Sequence, residues 1–308
     1  MTGTNFVVSL PDDHLAAALG DAPPGVEYVR WDLTGQPPRD DIDLVVTPYV
    51  GALARIPALE HVRTRLVQSQ TLGYDGIADA LPTGLVYANA TSVHESSTAE
   101  FALALVLASQ RGIDGFVRAS ARAKWSPAWR PSLADSTVLL VGYGGVGRAI
   151  EARLIPFEVR IVRVARTART DHDAPVHAMT ELPALLPEAD VVIVAVPLDD
   201  TTTHLVDDTF LSSMRDGALL VNVARGRVAD TEAVLRHARA RRLRFALDVV
   251  DPEPLPDAHP LFTLENVIVT PHVGGASSAM APRIARLVRT QIDRLRSNEE
   301  PLNVIFRT

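Results

Sequence analysis

Short apolar runs rich in Val and Ile alternate with helical patterns along most of the chain. In the first hundred residues, five runs predict buried β-strands, at residues 6–10, 26–31, 44–47, 66–69 and 86–88. Residues 98–111 then form a predicted helix that is apolar on most faces. A helix of that kind packs against another surface, either inside the protein or at a contact between subunits.

A second series of strands and helices begins near residue 137. Most of its strands carry apolar residues at consecutive positions, which is typical of strands buried on both faces of a parallel sheet. These strands are predicted at residues 138–141, 160–164, 191–196, 219–223, 245–249 and 267–270. Helices are predicted between them, at residues 145–154, 181–188, 208–214 and 231–241. The alternation predicts an α/β fold with two doubly wound, Rossmann-like parallel-sheet domains.

The composition excludes several classes of function. The 308 residues suffice for two domains, and 22% charged with 47% apolar residues is the balance of a globular protein. The absence of cysteine excludes disulfides, thiolate nucleophiles and Cys-ligated zinc. A net charge of -7 disfavours a nucleic-acid partner. The longest apolar helical stretch, residues 101–108, is far below the roughly 18 residues that span a bilayer, so we expect no membrane partner and a cytoplasmic location.

Two polar runs are candidate ion sites. Asp171-His172-Asp173 resembles a set of metal ligands, but it lies in a polar stretch without a helical partner pair, so a solvated turn and no metal site are predicted. The Arg-rich run at residues 236–244 is a candidate anion patch. We favour the alternative that it ends a helix, where positive charge complements the helix dipole.

The segment Gly142-Tyr143-Gly144-Gly145-Val146-Gly147 contains the pattern G-x-G-x-x-G between a predicted strand and a predicted helix. In that context Gly142 permits the tight turn, Gly144 lets the backbone approach a pyrophosphate, and Gly147 lets helix and strand pack closely. The free N–H groups at the start of the helix then face the anion. We therefore predict a dinucleotide site formed by Gly142, Gly144, Gly145, Val146 and Gly147.

The end of the next strand indicates which dinucleotide binds. An NAD site usually has Asp or Glu about 20 residues beyond the glycines, bonded to the ribose 2′-OH. Ala165 occupies that position here, and Arg166 and Arg169 follow it. Without the carboxylate a 2′-phosphate is not repelled, and arginines can pair with it. NADP is therefore favoured over NAD, although the nearby Arg160 and Arg163 leave open a merely solvated, Arg-rich edge.

Reactive side chains follow three strands of the second series. Arg225 follows Asn222-Val223-Ala224, Glu253 lies between Pro252 and Pro254, and His272 follows Thr270-Pro271. The carboxyl ends of parallel strands open on one edge of the sheet, which is also the edge of the glycine turn and the place where ligands bind. A single histidine at a strand end is more often structural than catalytic. Its combination with Glu253, Arg225 and the glycine turn predicts a catalytic site.

Together these stretches resemble the D-isomer-specific 2-hydroxyacid dehydrogenase family over nearly the full chain. The matching segments lie at residues 89–90, 98–103, 142–147, 222–226, 247–249, 252–254 and 270–275. The resemblance implies a flavodoxin-like substrate domain, formed by residues 1–95 and 276–308, and an NAD(P)-binding Rossmann domain formed by residues 96–275.

The resemblance also implies a homodimer, with the helix at residues 98–111 supplying part of the contact. Trp125 and Trp129 lie in the stretch before the cofactor domain. They could pack at the dimer contact or cover the partner's cleft, and the sequence leaves both possibilities open.

The resemblance further implies roles for residues at matching positions. His272 would be the general acid–base that protonates the carbonyl oxygen as hydride arrives, and Glu253 would hold its imidazole, since a carboxylate favours the protonated form. Arg225 would grip the substrate carboxylate with its planar fork. Within residues 70–75, the backbone N–H groups of Leu72 and Gly73 would receive the same carboxylate. The remaining contacts, all to the cofactor, would come from Arg166, Thr167, Pro197, Ala224, Gly274 and Asp248, the last of these to the nicotinamide carboxamide.

Branches of the family differ at two of these positions. Formate dehydrogenases tend to carry Gln at the position of Glu253, and phosphite dehydrogenases carry Lys at the position of Leu72, so both are disfavoured. The NADP-type turn and the run at residues 251–256 resemble glyoxylate/hydroxypyruvate reductases, which act on small 2-oxo acids. Two alternatives stay open: a nucleotide-sensing, corepressor-like protein without physiological turnover, and a dehydrogenase for a bulkier 2-oxo acid.

Overall fold

The computed structural model describes residues 5–171 and 173–308. The strands are β1 (Phe6–Leu10), β2 (Val26–Arg30), β3 (Leu44–Val46), β4 (Leu66–Gln68), β5 (Val86–Ala88), β6 (Thr137–Val141), β7 (Arg160–Ala165), β8 (Arg169–Asp171), β9 (Ala174–Ala178), β10 (Val191–Val194), β11 (Leu219–Asn222), β12 (Arg244–Leu247), β13 (Val267–Val269) and β14 (Val304–Arg307). The α-helices are α1 (Asp13–Leu19), α2 (Ala52–Arg55), α3 (Ile77–Ala80), α4 (Glu95–Arg111), α5 (Ile113–Ser120), α6 (Gly145–Leu154), α7 (Leu182–Leu185), α8 (Asp208–Ser213), α9 (Thr231–Arg239) and α10 (Met280–Arg296). Short 3-10 helices lie at Ile56–His61, Ile155–Phe157, Met179–Glu181, Leu186–Glu188, Gly226–Val228 and Pro260–Phe262.

The chain divides into two compact units. Unit 1 comprises Met1–His94 and Ser278–Thr308, and unit 2 comprises Glu95–Ser277. The boundaries expected from the sequence, at residues 95/96 and 275/276, lie one and two residues away from these.

Unit 1 is built on a six-stranded sheet in the order β14-β5-β4-β3-β1-β2. Strands β1 to β5 run parallel, and β14 joins β5 antiparallel. Alternate residues of β1 face opposite cores: Val8 packs with Leu15 of α1 and Val288 of α10, whereas Val7 packs with Leu59. The parallel order 2-1-3-4-5 is flavodoxin-like, as predicted for the substrate domain.

Unit 2 carries an eight-stranded sheet in the order β13-β12-β11-β10-β6-β7-β9-β8. All neighbouring strands are parallel except the β8–β9 hairpin. One face packs against α4 and α6 through Val106 and Ile150, and the other packs against α8 and α9 through Leu211 and Val234. Burial on both faces explains the consecutive apolar residues in these strands. The prediction of two doubly wound α/β sheets is confirmed.

The helix predicted at residues 98–111 begins three residues earlier, at Glu95. Its residues Ala99, Ala102, Leu105 and Val106 are buried against unit 2. The interior of the protein therefore covers part of the apolar surface of this helix, and the part of the helix in a contact between subunits stays a prediction.

The prediction of one continuous helix at residues 181–188 was wrong. The structure has two 3-10 turns, Met179–Glu181 and Leu186–Glu188, on either side of a single α-helical turn, α7. Pro183 and Pro187 each lie at the start of a new turn, where the missing N–H is tolerated but a continuous helix is not.

Candidate active site

The carboxyl ends of β6, β11, β12 and β13 lie on one edge of the unit 2 sheet. The sheet order places β11, β12 and β13 side by side, with β10 between β11 and β6. Because all five strands are parallel, the residues that follow them emerge at the same edge. This edge carries the glycine turn after β6, Arg225 after β11, Glu253 after β12 and His272 after β13.

The glycine turn has two positions that only glycine fits. Gly142 has φ +105°, and a Cβ there would lie 2.6 Å from the backbone of Ala195. A Cβ on Gly147 would overlap the carbonyl oxygen of Gly142. The start of α6 therefore packs directly onto the turn that follows β6.

The amino end of α6 is suited to a nucleotide phosphate. A Cβ on Gly144 would meet nothing within 4 Å, so space is open beside the backbone at this position. Gly144 is also the N-cap of α6 and provides no side-chain cap, which leaves the first N–H groups around Gly145 and Val146 for an anion. The residues of this turn thus fit a dinucleotide.

At the end of β7, the position where an NAD site usually has a carboxylate is occupied by Ala165. Arg166 is 75% exposed, and its Nη2 donates to Oδ2 of Asp199 at 2.7 Å. A hydrogen bond from the Thr201 hydroxyl holds the pKa of Asp199 below its ordinary value, and the charge of Arg166 makes a smaller contribution in the same direction. Thr167 is exposed beside Arg166. Arg169 donates to the carbonyl oxygen of Tyr143, within the glycine turn, at 2.7 Å.

Arg225 stands on a segment that a buried asparagine holds in place. Asn222 accepts from the N–H of Ala224 at 3.0 Å and donates to the carbonyl of Arg225 at 3.1 Å. A Cβ on the next residue, Gly226, would overlap the carbonyl of Val250, so the loops after β11 and β12 lie in direct contact. The run Asn222-Val223-Ala224-Arg225-Gly226 is thus required for the local backbone as well as for the guanidinium that it presents.

Asp248 organises the loop that carries His272. Its carboxylate is buried and accepts from the Thr270 hydroxyl at 2.7 Å and from the N–H groups of Val273 and Gly274 at 3.0 and 2.8 Å. The N–H of His272 donates to the Asp248 carbonyl at 2.8 Å. The observed partners of Asp248 are therefore loop groups, and its expected contact with the nicotinamide carboxamide stays a prediction.

His272 and Glu253 form a direct pair. Nδ1 of His272 lies 2.6 Å from Oε1 of Glu253, and the two side chains are 43% and 41% exposed. His272 has φ +54°, in the left-handed region that non-glycine residues seldom adopt, and such strain is concentrated at functional sites. The pairing occupies Nδ1 and leaves Nε2 for another partner.

The remaining predicted positions in unit 2 lie around these groups. The carbonyl of Pro197, after β10, accepts from the Thr202 hydroxyl at 2.7 Å. Ala224 is buried between β11 and Arg225. A Cβ on Gly274 would lie 2.9 Å from Oδ2 of Asp248, so glycine is needed for this close approach.

In unit 1, the loop after β4 is held by its carbonyl groups. The carbonyls of Gln70, Thr71 and Leu72 lie 2.7 Å from Nε2 of His94, 2.9 Å from the N–H of Ala90 and 2.8 Å from Nδ2 of Asn89. Within residues 5–171 and 173–308, the N–H groups of Leu72 and Gly73 donate to no protein acceptor. These two donors are available to a ligand.

Sequence reasoning missed the supporting residues of both regions. His94 is buried, stacks on Tyr49 with ring centroids 5.7 Å apart, and holds the loop after β4 through the Gln70 carbonyl. The buried Asn222 and Asn89 were noted only as parts of matching segments. Their positions at or just after strand ends, in otherwise apolar surroundings, were the available signal.

Two negative findings concern the described part of the chain. His172 lies outside it, and the described residues contain no group of three or more His, Cys, Asp or Glu that could hold a metal ion. None of the described helices combines the length and apolarity needed to cross a membrane.

Comparisons with known proteins agree with this arrangement. The model of the D-isomer specific 2-hydroxyacid dehydrogenase NAD binding domain matches residues 103–274. Glyoxylate reductase of Pyrococcus furiosus is 32% identical over 299 residues, which cover 91% of this chain and 89% of the relative. Glyoxylate reductase of Pyrococcus horikoshii is 34% identical over 258 residues, 80% of this chain and 77% of the relative.

Among solved structures, a D-isomer specific 2-hydroxyacid dehydrogenase from Xanthobacter autotrophicus Py2, in complex with NADPH and MES, superposes with a TM-score of 0.82. It is 26% identical, and the match covers 99% of each chain. The family expected from the motifs is thereby confirmed. The chain belongs to the D-isomer specific 2-hydroxyacid dehydrogenases, oxidoreductases that act on CH–OH donors with NAD or NADP.

Proposed function

We propose that this dehydrogenase reduces a small 2-oxo acid of the glyoxylate or hydroxypyruvate type, with His272 as its general acid–base. The observation that carries the proposal is the 2.6 Å His272–Glu253 pair, on the same sheet edge as Arg225 and the glycine turn. The two Pyrococcus relatives are glyoxylate reductases, which supports a small substrate.

The substrate carboxylate needs cationic or N–H donors. We assign it to Arg225 and to the N–H groups of Leu72 and Gly73. A guanidinium binds a carboxylate through two parallel hydrogen bonds, and backbone donors add fixed dipoles at no cost in side-chain entropy. When bound at the glycine turn, the nicotinamide nucleotide supplies the hydride that reduces the carbonyl carbon.

Negative charge then develops on the carbonyl oxygen, and His272 supplies the proton that neutralises it. Because Nδ1 donates to Glu253, the proton that leaves is the one on Nε2. The neutral imidazole that remains keeps its Nδ1–H bond to Glu253, so the ring stays oriented, and Nε2 is reprotonated from solvent. In the reverse direction Nε2 accepts the hydroxyl proton. Glu253 is thus a positioning residue that fixes the imidazole ring through Nδ1.

We further propose that NADP is preferred over NAD. Ala165 supplies no carboxylate to repel a 2′-phosphate, and the Xanthobacter autotrophicus enzyme was crystallised with NADPH.

Arg166→Ala should weaken NADPH binding much more than NADH binding. Asp199→Asn should strengthen NADPH binding selectively, because it removes the carboxylate that pairs with Arg166. Equal changes for both nucleotides in either variant would show that Arg166 does not bind the 2′-phosphate.

The proposed homodimer draws on a group of exposed apolar side chains. Trp125 and Trp129 are 97% and 101% exposed, and α5 presents Ile113, Phe116 and Val117 to solvent. Large apolar side chains that are exposed in the single chain favour a contact with a second copy. Light scattering after size exclusion should give twice the chain mass of 33.2 kDa. A mass of one chain would refute the dimer.

Steady-state assays test the proposed reaction directly. Oxidation of NADPH and of NADH is followed by absorbance with glyoxylate, hydroxypyruvate, pyruvate and phenylpyruvate. Turnover of glyoxylate or hydroxypyruvate at the highest kcat/KM supports the proposal. A preference for phenylpyruvate would instead identify a dehydrogenase of bulkier acids. Nucleotide binding without turnover of any acid would favour the nucleotide-sensing alternative.

A further inference from the structure

Glu95 places a carboxylate against the glycine turn. It is the first residue of α4, Gly145 is the first residue of α6, and both belong to unit 2. A Cβ on Gly145 would lie 3.1 Å from Cγ of Glu95 and 3.2 Å from its Oε1. An acidic side chain therefore lies directly beside the segment that fits the pyrophosphate of a dinucleotide.

The packing of α4 and α6 keeps the Glu95 carboxylate in this place. Ala99 and Ala102 of α4 and Ile150 of α6 belong to one buried core on the same face of the sheet. Glu95 itself is half-buried, and its Oε2 is enclosed. Water and salt screen a partly buried charge much less than an exposed one. The charge of Glu95 therefore acts strongly on any anion that binds at the turn.

The carboxylate lies at the amino end of α6, which is the positive end of the helix dipole and has no side-chain cap. In the chain without nucleotide, this helix end favours a nearby negative charge, and Glu95 supplies one. A dinucleotide brings further negative charge to the same helix end, because each phosphate of its pyrophosphate is ionised. Like charges at one helix end repel each other, so Glu95 opposes the binding of the pyrophosphate.

This opposition differs from the pairing of Arg166 with Asp199 after β7. Asp199 is proposed above to act through Arg166 on the 2′-phosphate, so its effect is confined to NADP and NADPH. The pyrophosphate, in contrast, is common to NAD, NADP and their reduced forms. A charge that acts on the pyrophosphate changes the affinity for all of these nucleotides by a similar factor.

We propose that Glu95 determines nucleotide affinity by weakening the binding of the pyrophosphate at the glycine turn. This role depends on nucleotide binding at the turn, and not on the proposed 2-oxo acid or on His272. Because Glu95 opposes the oxidised and the reduced nucleotide alike, it favours the exchange of a spent nucleotide for a fresh one. Product release of this kind limits the turnover of many enzymes.

Calorimetric titration of the full chain, without a 2-oxo acid, measures this effect separately from turnover. The probes are NADPH, NADH and ADP-ribose, the last of which has the pyrophosphate but neither the 2′-phosphate nor the nicotinamide. Glu95→Gln keeps the size of the side chain and removes its charge. It should tighten the binding of all three probes by a similar factor, about three- to tenfold.

Glu232→Gln is the matched control. Glu232 is an exposed acid in the first turn of α9, a helix that packs on the other face of the unit 2 sheet. Its substitution removes the same charge from the first turn of a helix and should leave the three dissociation constants unchanged. Equal tightening in the two variants would overturn the proposal, since it would reduce the effect to overall charge.

Other results of the titration would also overturn the proposal. Unchanged or weaker binding of the probes to Glu95→Gln would show that Glu95 does not oppose the pyrophosphate. Tightening of NADPH alone would place its effect at the 2′-phosphate, and tightening of NADPH and NADH without ADP-ribose would place it at the nicotinamide. If no probe bound the unmodified chain, the nucleotide site itself would be refuted along with the role of Glu95.

Discussion

The loops after β11, β12 and β13 of unit 2 and the loop after β4 of unit 1 present their proposed binding groups in opposite ways. In unit 2 the groups are side chains, and backbone N–H groups and a buried asparagine fix the segments that carry them. In unit 1 the groups are the N–H donors of Leu72 and Gly73, and side chains such as Asn89 fix the carbonyls. In unit 2, therefore, the identity of the proposed reactive residues matters most. In unit 1, the identity of the supporting residues matters most.

Arg225→Gln should have the largest effect among the substitutions that test this comparison. It removes the charged fork assigned to the substrate carboxylate, and two charge-assisted bonds at about 1.5–3 kcal/mol each correspond to a loss of at least about 10² in kcat/KM. Arg227→Gln, an exposed arginine two residues away, is the control and should change little. Similar losses in both variants would contradict the assignment of Arg225.

Asp248→Asn should have the next largest effect, through the support of His272. An amide cannot accept from all three loop donors in place of the carboxylate, so about 1–3 kcal/mol of stability should be lost. We expect kcat to fall roughly tenfold and the melting temperature to fall by several degrees. Unchanged kcat with a lowered melting temperature would show that this loop does not position His272 for turnover.

Asn89→Ala tests the reverse arrangement in unit 1. Loss of the bond to the Leu72 carbonyl should loosen the two N–H donors and raise KM for the 2-oxo acid severalfold, with kcat little changed. Thr91→Val is the matched control, because it removes the neighbouring hydroxyl that donates to Asn89 and keeps the bond to Leu72. A fall in kcat at unchanged KM in Asn89→Ala would oppose a binding role for this loop.

Substitution of Glu151 should have the smallest effect on turnover, because Glu151 supports the glycine turn only indirectly, through its contact with Tyr143. Burial raises the pKa of Glu151, but hydrogen bonds from Arg163 and Tyr143 and the charge of Arg163 lower it by more. The net pKa is therefore below its ordinary value. The folded state then binds the proton more weakly than the unfolded state. The stabilisation is present above the unfolded pKa and is lost as the pH falls through the folded pKa.

Chemical unfolding at a series of pH values measures this contribution. The advantage of the unmodified chain over Glu151→Gln in free energy of unfolding should stay constant from about pH 7 to about pH 5 and shrink as the pH falls from about 5 to about 3. A difference that does not depend on pH over this range would show that Glu151 contributes through packing and not through its charge.

The bounds of secondary-structure elements were predicted best where a strand is buried on both faces and therefore has a continuous apolar run. Strands β1 and β5 and helix α6 have the predicted bounds, and the other predicted strands differ at their ends by one or two residues. Strand β8 was missed because its residues are polar, β9 because Pro175 interrupts its short apolar stretch, and α5 because it buries none of its residues. Helix α10, which buries Ile284, Leu287, Val288 and Leu295 on one face, was not predicted.

At the site, the residue types alone pointed to Arg225, Glu253, His272 and the glycine turn, because charged groups and glycines at strand ends are conspicuous. The N–H donors of Leu72 and Gly73 came only from the family resemblance, since no side chain marks a backbone donor. Pairings such as Arg166 with Asp199 depend on residues 33 positions apart and need the folded chain.

The central claim is that His272, held by Glu253, transfers the proton. Its most direct test is the kcat of His272→Ala with the preferred 2-oxo acid and nucleotide, alongside the dissociation constant of that nucleotide. We predict a loss in kcat of about 10²–10⁴, the usual contribution of a general acid–base, with nucleotide affinity nearly unchanged. A variant that turns over at the rate of the unmodified enzyme would contradict the claim.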